Sequence, residues 1–345
     1  MSFINLPESI RRAAAILESV VLFLTVLFST GALAEINDYP KALDGMGIFE
    51  NTVKDSYPQT AVHNIVLGHF MTEVSGETVV LRKTPKCLII GYDGARADAL
   101  VNTINMEGAG VKALLSDGGH IYNMYTGGKR ADSLLDFGAL SRFQDTSTAP
   151  GWTTMLTGKW AAEADGKGHG VTGNGIPKNP ETKLVFTELL DLGHVQKTSF
   201  IVSWGGHFKD ENSSYKNNDI AYCEEKGYDA KWITTSNDEE TFAETLAEVG
   251  KADGADVIMC ILEHCDHTGH SAGFGNHAPE YVDAIKASER DAYALIEAVK
   301  ARDTYDDEDW LIIITADHGG FGTGHGPQFA TARQVFLAVN KEVFA

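Results

Sequence analysis

Three short stretches concentrate side chains able to do chemistry. Asp93 stands in "GYDGAR" (91–96), Asp266, His267 and His270 in "DHTGH" (266–270), and Asp317, His318 and His325 in "TADHGGFGTGHG" (315–326). Carboxylates mixed with imidazoles are ligands for zinc, with manganese as the alternative. A lone histidine is more often a surface or hydrogen-bonded core residue. Clustered Asp-His and Gly-His pairs, with glycines that let backbone turn tightly beside an ion or substrate, point instead to a metal centre.

The elements that must position these residues are legible around them. "KCLIIGY" (86–92) runs into Asp93, "ADVIMCILEH" (255–264) stops just short of Asp266, and "WLIIITAD" (310–317) ends at Asp317; "TSFIVSW" (198–204) is a fourth such run. Continuous apolar runs rich in β-branched residues read as strands buried on both faces. Helical patterns lie between them at 181–193, 238–252 and 279–301, with an earlier one near Gln59–Phe70. The alternation predicts an α/β fold, three layers with a mostly parallel central sheet. In such sheets, sites form in the crevice beyond the carboxyl ends of the strands, where Asp93, Asp266 and Asp317 would converge. The acidic run "DTYDDEDW" (303–310) reads as a solvated loop before a strand.

A second stretch, "TSTAPGWTTMLTG" (146–158), carries hydroxyls. Pro150 suits the first turn of a helix over "GWTTMLTG". That would set Thr148 at a helix N-terminus, where free N–H groups suit a phosphoryl oxygen. The local sequence alone favours a plain N-cap for Thr148.

In combination and order, "GYDGAR", "TAPGWTTMLTG", "DHTGH" and "ADHGGFGTGHG" resemble the alkaline phosphatase superfamily, most closely its nucleotide pyrophosphatase/phosphodiesterase branch. The resemblance spans about Lys86–Val339. It implies an alkaline-phosphatase-like fold and a hydrolase of phosphodiester or pyrophosphate bonds working at two zinc ions through a phospho-threonine. It implies Asp266, His270 and His325 around one ion, and Asp93, Asp317, His318 and the Thr148 oxygen around the other. Thr148 would be the nucleophile. Asn174, in "HGVTGN", would donate a hydrogen bond to a phosphoryl oxygen, and His267 would stand behind the ligands. The chain departs from the branch at Gly151 and Trp152, where relatives carry Asn and His. With no Lys or Arg between Thr148 and Gly158, these residues read as room and an aromatic face, Trp152, for a diester's second group.

Rival readings are a phosphomonoesterase of the same superfamily and a non-catalytic metal-binding surface protein. A sulfatase of that superfamily needs a modifiable Cys or Ser where Thr148 stands and Arg where Trp152 stands. Lys129, Arg130, Arg142, Lys159 and Lys209 are the candidate cations for a monoester's extra charge, and Trp160, Trp204 and Tyr222 the other candidate aromatics for a ligand pocket.

Composition bounds the rest. The chain has 345 residues, 43% hydrophobic, enough for a large core. A formal net charge of −20 argues against nucleic-acid duplexes as partners and says little about the substrate, because a metal site can reverse the local field; the small-molecule phosphate ester is what the resemblance implies. Arg11 and Arg12 precede the apolar stretch 13–34, which ends in a small-residue "ALA". This resembles a secretory signal cut after Ala34, predicting a secreted, periplasmic or cell-surface protein. The alternatives are an uncleaved membrane anchor or a cytoplasmic chain. Residues 35–82 read as an N-terminal extension and 83–345 as the catalytic domain. Cys87 and Cys260 sit in apolar runs as small hydrophobes; Cys223 completes no CxxC pair; Cys265 reads as a semi-buried thiol beside the site, with a ligand or reactive thiol as the alternative.

Overall fold

The computed structural model describes residues 56–71, 83–128, 144–163 and 165–344. The signal-like segment 1–34 lies outside them, as do Lys129, Arg130 and Arg142. The strands are β1 (Tyr57–Pro58), β2 (Thr84–Tyr92), β3 (His120–Tyr125), β4 (Lys197–Val202), β5 (Asp229–Thr234), β6 (Val257–Leu262), β7 (Glu308–Thr315) and β8 (Gln334–Val339). They form one sheet in the order β1-β3-β8-β7-β2-β6-β4-β5. Only β8 pairs antiparallel with its neighbours. The longer helices are α1 (Ala61–Phe70), α2 (Gly110–Ser116), α3 (Thr148–Thr157), α4 (Val185–Asp191), α5 (Asp238–Val249), α6 (His264–Ala272) and α7 (Pro279–Lys300).

The predicted strands are β2, β4, β6 and β7, and their apolar runs are the centre of the core. From Cys87 to Tyr92, Val257 to Leu262 and Trp310 to Thr315 every side chain is buried. Each fully buried Ile or Leu among them contributes about 1.5–3 kcal/mol. Register then does the positioning. Gly91 pairs with Thr315 and Tyr92 with Leu262, so the three adjacent strands β7, β2 and β6 end level. Asp93, Glu263 and Asp317 follow side by side.

Two boundaries differ from the sequence reading. Residues 57–70, read there as an N-terminal extension, pack on the same sheet as the rest of the chain. β1 pairs with β3, and the Gln59 side chain donates to the carbonyls of Ala316 (3.2 Å) and Asp317 (2.9 Å). The acidic run is solvent-exposed at Asp303, Asp306, Asp307 and Asp309, as read, but its end is already strand. Glu308 opens β7, buried, and its carboxylate accepts from Arg302 and from the Trp310 indole at 2.8 Å each. This holds its pKa down at about 2 despite burial. Among the described residues, no helix is long and apolar enough to cross a membrane.

Candidate metal and phosphoryl-transfer site

The centre is built on the three level strand ends and the first turn of α3. Gly94, just past β2, takes a φ of +69°, and a Cβ there would fall 2.9 Å from the Asp266 backbone. Only glycine lets the two chains approach this closely. The Gly94 N–H then donates to Asp317 Oδ1 at 3.1 Å, and the Tyr281 hydroxyl donates to the Gly94 carbonyl at 2.6 Å. Asp93, Asp317 and His318 are fully buried, Asp266 nearly so, and His270 is exposed at the rim.

Two sets of ligand atoms emerge, each within 4.8 Å: Asp266, His270 and His325, and Asp93, Asp317 and His318. These are the groupings that the resemblance implied. The histidines are oriented alike. His270 Nδ1 faces the Thr323 carbonyl (3.0 Å), His318 Nδ1 that of Gly319 (2.7 Å) and His325 Nδ1 that of Thr146 (3.1 Å). A carbonyl accepts only, so each Nδ1 carries the proton and each Nε2 turns a lone pair inward. His270 Nε2 and His325 Nε2 lie 3.1 Å apart. Two lone pairs at that distance repel unless a cation or proton stands beside them. Asp266 Oδ1 and Asp317 Oδ2 are buried with no hydrogen-bond partner.

Electrostatics point the same way. Burial, then repulsion from Asp266, raises the Asp93 carboxyl well above its usual range; burial, then Asp93, does the same to Asp317. His318 is pushed well below the ordinary histidine range by burial and by His325. Carboxylates crowded together in a buried centre, facing the imidazoles of His318 and His325 with their lowered pKa values, lack only positive charge. Orphaned oxygens, inward lone pairs and the donor types fit divalent cations.

Thr148 is the first residue of α3, with Ser147 in the capping position. It is therefore not the N-cap that the local sequence favoured. Its Oγ1 lies 3.4 Å from Asp93 Oδ1 and 3.5 Å from His318 Nε2. Asn174, exposed, accepts the Ala149 N–H on Oδ1 at 2.9 Å. That fixes the carboxamide, so its NH2 remains to donate. The loop before α3 is tied to the loop of His325 by paired backbone bonds between Thr146 and Gly326, 3.1 and 2.9 Å.

Several expectations are corrected. Trp152 does not face a substrate. It is fully buried against Gly91, and its indole N–H donates to Asp93 Oδ2 at 2.8 Å. Gly151 does not open room; a Cβ there would sit 2.7 Å from the Asp317 carbonyl, so its smallness brings α3 onto the turn that follows β7. Cys265 is fully buried rather than semi-buried, and burial raises its thiol pKa, unlike a reactive cysteine. Trp160 is buried against Tyr125. His267 belongs to neither ligand set. It is exposed, lining a cavity of about 470 Å³ with Trp204, Ser236, Asp238 and His264.

Glu263 was missed. It is buried, its Oε1 has no partner, and it shares a third close group with Asp93 and Asp266. Burial, then Asp93 and Asp266, raises its pKa well above the carboxylate range. A lone acid at the end of an apolar run resembles any strand-end turn residue, so only the register exposes it.

Fold and centre together describe a parallel α/β protein with a carboxylate–imidazole site at the ends of its central strands. A family model, type I phosphodiesterase / nucleotide pyrophosphatase, matches residues 140–325, more than half of the chain. The chain belongs to that family. The match contains Thr148, Asn174, Asp266, His270, Asp317, His318 and His325, and begins after Asp93. Among solved structures the chain is similar to murine ectonucleotide pyrophosphatase / phosphodiesterase 5, with 16% identity and a TM-score of 0.45 over 68% of this chain and 57% of that one. It is also similar to a protein in the alkaline phosphatase superfamily from Vibrio parahaemolyticus, with 14% identity and a TM-score of 0.45 over 81% and 68%. The match thus spans under two thirds of the murine chain.

Proposed function

We propose that this chain is a metal-dependent hydrolase of phosphodiester or pyrophosphate bonds in small molecules, acting through a phospho-threonine. The observation that carries the reading is Thr148 Oγ1, at the head of a helix and facing Asp93 and His318. Asp93, Asp317, His318 and Thr148 would hold one zinc ion and Asp266, His270 and His325 a second; manganese is the alternative. Bound, such ions lower the pKa of a hydroxyl and offset charge on the transferring group. The chain's own residues do the remainder. Thr148 Oγ1 attacks phosphorus as its proton passes to solvent, and the bond from phosphorus to the ester or anhydride oxygen breaks on the opposite face, the departing oxygen taking up a proton from solvent. Asn174, held by Ala149, donates from its NH2 to a phosphoryl oxygen as charge builds. Water then cleaves the phospho-threonine and restores the hydroxyl.

Family membership supports the diester over the monoester; Gly151 and Trp152 no longer do. Purified protein, assayed with paired aryl mono- and diesters at one pH and saturating zinc, is expected to prefer the diester. Chelator should abolish turnover and zinc restore it. A monoester efficiency ten or more times the diester value, about 1.4 kcal/mol of transition-state preference, would make the protein a phosphatase. Zinc uptake without turnover on any ester would support the non-catalytic reading. The apolar stretch 13–34 supports export, and a mature N-terminus at Glu35 in the native host is the expected result.

A further inference from the structure

The resemblance supplies ligands but no account of Trp152, whose position the family fills with another residue. α3 places Trp152 four residues after Thr148, so the two side chains leave the helix on one face, a turn apart. Both reach the same carboxylate. Thr148 Oγ1 lies 3.4 Å from Asp93 Oδ1, and Trp152 Nε1 donates to Asp93 Oδ2 at 2.8 Å. The indole is fully buried and cannot swing away. Its ring lies so close over β2 that a Cβ on Gly91 would come 2.4 Å from Cη2.

We propose that Trp152 is a positioning residue for the metal centre: its indole N–H pins one oxygen of Asp93, so that the other is presented to the cation beside Thr148. A carboxylate with both oxygens free can rotate or bind with two atoms. With Oδ2 occupied, Oδ1 is the oxygen left facing Thr148 and His318, where His318 Nε2 lies 3.5 Å away. One rigid helix thus sets both the nucleophile and the orientation of the carboxylate that serves it. Partners that orient a ligand in this way typically change metal affinity 10–100-fold when removed.

The inference rests on the metal reading above, and the test separates the two. Zinc affinity is measured by chelator competition on wild type, on Trp152→Phe, and on protein with 3-benzothienylalanine at position 152. The last keeps the ring shape and removes only the N–H. Leu189→Ala, which opens a cavity in the buried face of α4, controls for general loss of stability. Both position-152 variants are expected to lose 10–100-fold in zinc affinity. Leu189→Ala should lower the melting temperature of the metal-free protein yet bind zinc like wild type. In wild type, the ¹⁵N-labelled indole resonance of Trp152 should shift on zinc addition. If the benzothienyl protein binds zinc within twofold of wild type, the pinning role is wrong while the metal site stands. If wild type binds no divalent cation, the metal reading itself fails.

Discussion

At the scale of single residues, the proposed function gives Thr148 and Asn174 separable roles. Thr148→Ala should lose turnover by several orders of magnitude while keeping zinc within a few-fold of wild type, because Asp93, Asp317 and His318 remain. Thr148→Ser should recover part of the rate. Near-wild-type hydrolysis by Thr148→Ala would rule out the covalent route. On the proposed function Asn174→Ala removes a donor to the phosphoryl oxygen, and a loss of about 10²–10³ in kcat is expected with zinc content unchanged. An effect confined to KM would mean that Asn174 binds ground state and transition state alike. The residues behind these two were harder to foresee. Trp152 read as substrate-facing because no Lys or Arg stands between Thr148 and Gly158; every residue of α3 is buried, so helical periodicity marks no inner face that would have corrected this. Glu263 gives no local signal.

At the scale of elements, the crossing of α3 over β2 is a tight joint of the site. Gly91→Ala would force a methyl into the Trp152 ring. The expected cost is about 1–3 kcal/mol of stability, together with weaker zinc binding as the indole leaves Asp93. Thermal melts with and without zinc would show both; a stability loss with zinc affinity intact would uncouple ring position from the metal. Elements were legible in the sequence where burial is complete. β2, β4, β6 and β7 are unbroken apolar runs, and α1, α5 and α7 announce themselves by periodicity, first-turn acids or an initial proline. β3 and β5 passed unnoticed because they are only part-buried, "HIYNMY" and "DAKWIT" mixing polar and apolar residues. The order of strands, which makes Asp93, Glu263 and Asp317 neighbours, comes from pairing over long separations and leaves no local trace.

At the scale of the whole molecule, one buried carboxyl ties stability to pH. Glu289, on α7, accepts from the Tyr92 hydroxyl (3.2 Å) and the Val111 N–H (3.0 Å). Burial raises its pKa to about 7, outweighing these bonds. A carboxyl raised in the native state favours folding when protonated. That contribution is full below the unfolded value near 4.5 and is lost as pH rises through about 7. Metal-free Glu289→Gln should therefore lose less stability than wild type between pH 5 and pH 8. The difference is on the order of 3 kcal/mol by denaturant titration, and parallel curves would show that Glu289 does not titrate there. The strand order has a further consequence, in the time during which the chain is made. β2 lies at the centre of the sheet, yet its partners β6 and β7 come much later in the sequence. Between Tyr92 and Val257 the ribosome adds about 165 residues, roughly 10–30 s of synthesis. Throughout that interval "CLIIGY" has neither lateral neighbour, so the segment that will hold Asp93 waits as unpaired apolar surface of the kind that chaperones cover.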